Sequence, residues 1–119
     1  MTTSKEKVIG LVGVCASGKT TLGAQLKALG YRVKHIAQEH SFVPEMWQKI
    51  GKPDLLVFLD VSFETANQRR RLDWTRADYE EQQRRLGHAR QHADFYLLTD
   101  GLSADEVAEK VCQFLDSRA

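Results

Sequence analysis

Several things are scarce in this chain, and each scarcity closes off a class of protein. Of 119 residues only two are cysteine, Cys15 and Cys112, far apart and without Cys-x-x-Cys spacing. Neither a disulfide framework nor a cysteine-rich zinc site is expected, and both thiols read as reduced. Two prolines and eight glycines are too few for a collagen-like or low-complexity segment. An excess of charge is missing as well: 17 Lys and Arg against 16 Asp and Glu leave a formal +1, so no global field draws the molecule onto nucleic acid or an anionic membrane. Apolar runs last only a few residues, against the ~20 needed to span a bilayer, and the start MTTSKEK lacks the apolar core of a secretion signal. The expectation is a cytoplasmic protein with no membrane partner.

What remains is an ordinary globular composition, 42% hydrophobic and 28% charged, in a length that suits one domain, 1–119, and not two. VIGLV at 8–12, closed by Gly13, and LLVFLDV at 55–61 are apolar runs rich in β-branched residues, the signature of strands buried on both faces. YRVKHIA at 31–37 alternates imperfectly and DFYLL at 94–98 is short; both are read as further strands. Leu22, Leu26 and Leu29 fall on one face of a helix over 19–29 that stops at Gly30. One short helix is predicted behind Pro44, with Val43, Met46, Trp47 and Ile50 repeating helically. Ser62 is placed to cap a helix running to about Leu72.

A very polar helix follows Thr75, with Glu80/Arg84 and Glu81/Arg85 spaced as ion pairs and few apolar residues beyond Tyr79, Leu86 and Ala89, so weak anchoring is expected. Ser103 and Glu106 make a capping box that opens a last helix faced by Val107, Val111, Phe114 and Leu115. The order β-α-β-α-β-α-α-β-α calls for an α/β fold, a parallel sheet with right-handed crossovers and helices against it.

Between the first strand and the first helix lies Gly13-Val14-Cys15-Ala16-Ser17-Gly18-Lys19-Thr20, which satisfies Gly-x-x-x-x-Gly-Lys-Ser/Thr in the strand-to-helix context this motif requires. The two glycines let the backbone curl so that N–H groups point inward, and the helix start adds its positive dipole end. The expected nucleotide-binding set is Gly13, Ala16, Ser17, Gly18, Lys19, Thr20 and Thr21. Lys19 would bridge the β- and γ-phosphates, Thr20 would ligate Mg2+, and Thr21 would reach the α-phosphate. The plain alternative is a tight turn with a solvated lysine.

Three segments, GLVGVCASGKTTLGAQL, PDLLVFLDVSFETANQRR and ADFYLLTDGLSADEVAEKVCQFL, together resemble P-loop kinases of the nucleoside and nucleotide kinase type over about half the chain. The resemblance implies a P-loop NTPase-like three-layer α/β/α sandwich. It also implies transfer of the γ-phosphoryl group of ATP, with Mg2+, to a small-molecule acceptor. Arg69 matches the arginine of the family's pre-lid helix, with Arg70, Arg71, Arg76, Arg84 and Arg85 around it and a lid-like segment over about 69–92; a solvated surface braced by Glu80 and Glu81 is the competing reading. Glu39 is similar to the glutamate after the second strand of deoxynucleoside kinases and stands as a possible base, though the proline that follows in that pattern is absent here. Asp60, ending the LLVFLD run, is a second carboxylate for metal, or else a structural cap.

The family's extra strand and acceptor-binding segment are missing, only 38–53 filling that space, which leaves four strands in the expected order 2-1-3-4. A non-catalytic nucleotide-binding or regulatory module, or a simple NTPase, therefore stays open beside the kinase, as does a homodimer. An RNA-binding role is disfavoured because acidic residues interleave the arginines without a stacking platform. His88 and His92 share a helical face but lack a third ligand for zinc. His40 is an exposed loop histidine or an acceptor contact. Cys15 sits where nucleotide would shield it from alkylation, and Phe42, Trp47 and Trp74 are either walls of an acceptor pocket or core and contact residues.

Overall fold

A computed structural model describes residues 6–70 and 74–118. Four parallel strands form one sheet: β1 (Val8–Gly13), β2 (Arg32–His35), β3 (Leu55–Asp60) and β4 (Phe95–Leu98), in the order β2-β1-β3-β4. The two strands legible as continuous apolar runs are the central pair, paired from Ile9↔Leu55 to Gly13↔Leu59. All six residues of β3 are buried, because helices cover both faces of the sheet there.

Strand alternation divides the interior into two cores. Ile9, Leu11, Val57 and Leu59 face α1 (Lys19–Ala28) and α5 (Ala104–Ser117), which contribute Leu22, Leu26, Val111 and Leu115. Val12, Leu56 and Phe58 face the other way, onto Trp47, Ala66, Leu86 and Ala89. Phe58 is fully buried, and truncating it to alanine is expected to cost about 3–5 kcal/mol. The α5 capping box forms as read: Ser103 Oγ accepts from Glu106 N–H at 3.1 Å, and Glu106 Oε1 accepts from Ser103 N–H at 3.0 Å.

Two regions depart from expectation. The polar helix after Thr75 divides into α3 (Arg76–Arg85) and α4 (Gly87–His92), and it is firmly held. Leu86 and Ala89 are wholly buried, the Tyr79 hydroxyl donates to Val61 O at 2.8 Å, and Gln83 donates to Asp60 Oδ1 at 2.9 Å. Its anchors are a phenol and amides, which hydrophobic periodicity does not count. Glu81 pairs with both Arg84 and Arg85.

The connector 38–53 forms a 3₁₀ turn, Gln38–His40, and a π-type turn, Trp47–Gly51, in place of one helix. Fully buried Gln38 organises it. Its amide nitrogen donates to Val43 O at 2.9 Å and Arg85 O at 3.3 Å, and its oxygen accepts from Trp47 N–H at 2.8 Å. Trp47 is core, and its indole N–H donates to His88 Nδ1 at 3.0 Å, which occupies a nitrogen a metal would need. Phe42 is exposed, lying 4.2 Å beneath the Arg85 guanidinium, and Trp74 packs on Phe63 and Tyr79. Ser62 caps α2 (Phe63–Arg70), whose expected continuation to Leu72 lies outside the described residues. Among the described residues no helix is long and apolar enough to cross a membrane.

Candidate functional site

Where β1 ends, the chain turns through residues 13–18 into α1. Gly13 has φ +155°, and a Cβ there would meet Leu59 O at 2.0 Å, so only glycine lets the loop lie this close to β3. Gly18, with φ +103°, begins α1 without a side-chain cap, leaving the first-turn amides without intrahelical acceptors. The loop forms one wall of a cleft of about 590 Å³ whose lining includes Cys15, Ala16, Ser17, Gly18, Lys19, Thr20 and Thr21, facing Glu39, His40 and Arg69. Leu22, Leu102, Ala104 and Val107 add apolar lining.

Lys19 is buried, not solvated: its residue is 6% exposed, and Nζ donates to Gly13 O at 2.5 Å and to the carboxylate of Glu39. The pairing of β1 with β2, continued by Ile36 N–H to Leu11 O at 3.0 Å, carries the turn holding Glu39 to the loop. Glu39 is itself 4% exposed, and while Oε2 takes the lysine, Oε1 is buried without a hydrogen-bond partner, as is Ser17 Oγ. Unsatisfied oxygens of this kind are uncommon in folded proteins and call for a reason. His35 shares the cleft; burial, then the charge of Lys19, holds its imidazole below the usual range, so it is neutral at pH 7.

Arg69 reaches across from α2. Its guanidinium donates to Ala16 O at 3.1 Å, Thr99 Oγ1 at 2.8 Å and Thr99 O at 2.5 Å. The fully buried Thr99 passes its own hydroxyl hydrogen between Ser17 O and Asp60 O, both at 3.1 Å, so the loop, the end of β3 and α2 meet at one hydroxyl. Of the other arginines of the expected cluster, Arg76 pairs with Glu64 at 2.9 Å and Arg84 with Glu81, while Arg85 pairs with Glu81 and also donates to Glu39 O at 3.4 Å. The Arg70 side chain and Arg71 lie outside the described residues.

Asp60 does not join the cleft. Its Oδ1 accepts from Val61 N–H and Gln83, both at 2.9 Å, and its Oδ2 accepts from the Tyr96 hydroxyl at 2.6 Å and faces Arg90 at 3.3 Å. That arrangement holds β3, β4 and the α3–α4 segment together and leaves little capacity for a metal.

Sequence reading passed over three residues of the site. Thr99 follows a weak strand in LLTD, Gln82 looks like helix surface yet accepts from Cys15 N–H at 3.1 Å, and His35 sits on an edge strand. A polar residue directly after a strand is the only signal that pointed to the first. No protein-family model matches the chain, and a search of curated proteins finds no match.

Proposed function

We propose that the cleft binds the phosphates of ATP with Mg2+, and that the protein is a P-loop kinase transferring the γ-phosphoryl group to a small nucleoside-like or nucleotide-like acceptor. One observation carries the reading: the lysine of Gly-x-x-x-x-Gly-Lys-Thr is buried at a cleft wall against a glutamate that keeps one unsatisfied oxygen. A tight turn alone has no use for a buried lysine in a polar cleft, whereas a polyanion site does.

In this mechanism the loop amides and the start of α1 hold the β- and γ-phosphates, and Lys19 exchanges Glu39 for phosphate oxygens. Arg69, braced on Thr99, adds fixed positive charge beside Ala16 and needs little reorganisation as charge develops. Glu39, released by Lys19, accepts the proton of the acceptor hydroxyl as its oxygen bonds to the γ-phosphorus and the bridging oxygen departs with ADP. Thr20 and the second oxygen of Glu39 are the groups fitted to hold Mg2+, which would neutralise phosphate charge; Asp60 is not, being saturated.

The test is calorimetric titration with ATP and ADP, with and without Mg2+, followed by a transfer screen over nucleosides, nucleotides and small alcohols. Micromolar binding that Lys19→Ala abolishes, with transfer that Glu39→Gln removes, is the expected outcome. No binding at millimolar nucleotide would overturn the reading. Binding without transfer to any acceptor would favour the non-catalytic module, which the shortness of connector 38–53 also favours.

A further inference from the structure

We propose that Cys15, Glu39 and His40 form a binding site for a thiophilic divalent transition metal of the zinc and cobalt class, at the mouth of the cleft. The site needs no nucleotide to form, although it shares Glu39 with the ATP reading. Cys15 lies in the loop after β1 and the other two in the turn after β2, and pairing of those neighbouring strands brings the three together.

The geometry is close to a coordination sphere. Cys15 Sγ stands 3.8 Å from His40 Nε2, that nitrogen stands 3.8 Å from Glu39 Oε2, and a thiol, an imidazole and a carboxylate atom all lie within 4.8 Å of one another. In a tetrahedral zinc site, with bonds of about 2.0–2.3 Å, neighbouring donors stand about 3.4–3.6 Å apart. Closing the difference asks only for small side-chain rotations. The His40 side chain is 60% exposed and turns without disturbing the core.

A second, independent observation points to a ligand. The Glu39 side chain is 6% exposed, and its Oε1 is buried without a hydrogen-bond partner. Lys19 holds Oε2, the oxygen 3.8 Å from His40 Nε2, so the metal takes the carboxylate after a rotation that turns the unpartnered Oε1 toward Cys15 and His40. Thiol direction is already set, since Gln82 accepts from the Cys15 N–H at 3.1 Å and donates to its Sγ at 3.2 Å. A sulfur, nitrogen and oxygen donor set selects zinc-like ions over Mg2+ or Ca2+, and three protein ligands leave a fourth position for solvent. The nearby Lys19 ammonium opposes a cation, which limits affinity without removing the donors.

The reduced full-length protein, free of nucleotide, is titrated with Co2+ and then Zn2+, reading the thiolate-to-cobalt charge-transfer absorption. One equivalent should bind, with the band abolished by Cys15→Ser, unchanged by Cys112→Ser and displaced by Zn2+. His40→Ala, at an exposed position that does not threaten folding, should weaken binding by at least about tenfold. Absence of the band, or a band that survives His40→Ala at full affinity, overturns the proposal, the latter meaning that a lone thiol captured the metal. Because no nucleotide enters the titration, its result stands apart from the ATP reading: Cys15→Ser leaves Lys19 and Glu39 in place, and ATP titration of that variant reports on the phosphate site alone.

Discussion

Two carboxylates stand at the C-terminal ends of two parallel strands, β2 and β3, at the same end of the sheet, and they have opposite fates. Asp60, the last residue of β3, is met by four donors, from the next residue Val61 and from α3, α4 and β4, and has nothing left to offer. Glu39, in the turn after β2, is as deeply buried but holds one lysine and keeps one oxygen unsatisfied. The difference is one of surroundings: β3 is flanked by strands and covered by amide-bearing helices, whereas β2 is an edge strand whose following turn opens onto the cleft. A buried carboxylate with all its lone pairs met is a structural brace; one left partly unmet is poised for a ligand.

The largest expected effect comes from removing the cation on the Glu39 side. Lys19→Ala should weaken ATP binding by about a hundredfold or more in calorimetry. It should also lower stability by about 3–5 kcal/mol in urea unfolding, because a buried carboxylate loses its counter-ion. Glu39→Gln should leave nucleotide affinity within a few-fold while cutting phosphoryl transfer by at least about a hundredfold in a steady-state assay. Equal losses of both would erase the distinction between holding phosphate and accepting a proton.

On the other side, Asp60→Asn should cost about 1–3 kcal/mol of stability, read from the urea midpoint, with ATP affinity unchanged. A loss of affinity instead would bring Asp60 into the site. The smallest effect is alkaline. Burial and then its hydrogen bond to Asp60 push the Tyr96 hydroxyl up to about 12, from an ordinary value of about 10. A folded-state value above the unfolded one means that this bond's stabilisation is whole below pH ~10 and is lost as pH rises toward ~12. All three tyrosines are raised, and the phenolate absorbance should lose its component titrating near pH 12 in Tyr96→Phe.

Much of this was legible in residues. The runs at 8–12 and 55–61 gave the central strands because burial on both faces writes itself as unbroken hydrophobicity. The glycine spacing from Gly13 to Gly18 located the loop, and the Ser103/Glu106 pair located the start of α5. The strand order followed from the short connector, and the structure has it. Less legible was everything held by neutral polar groups. Gln38, Gln82, Gln83 and Thr99 fix the connector, the loop and the α3–α4 segment through hydrogen bonds whose partners lie up to 82 residues away in sequence. No periodicity reports such pairings. For the same reason Asp60 and Glu39 looked interchangeable at the ends of their strands, and only their neighbours tell them apart.

The absence of clearance between Gly13 and the Leu59 carbonyl has a kinetic corollary. With no slack there, the β1 end of the loop cannot fray by itself; its amides should exchange with deuterated solvent only when the central pair of strands opens. Protection at residues 12–14 is then a gauge of whole-molecule opening, shared with 56–59.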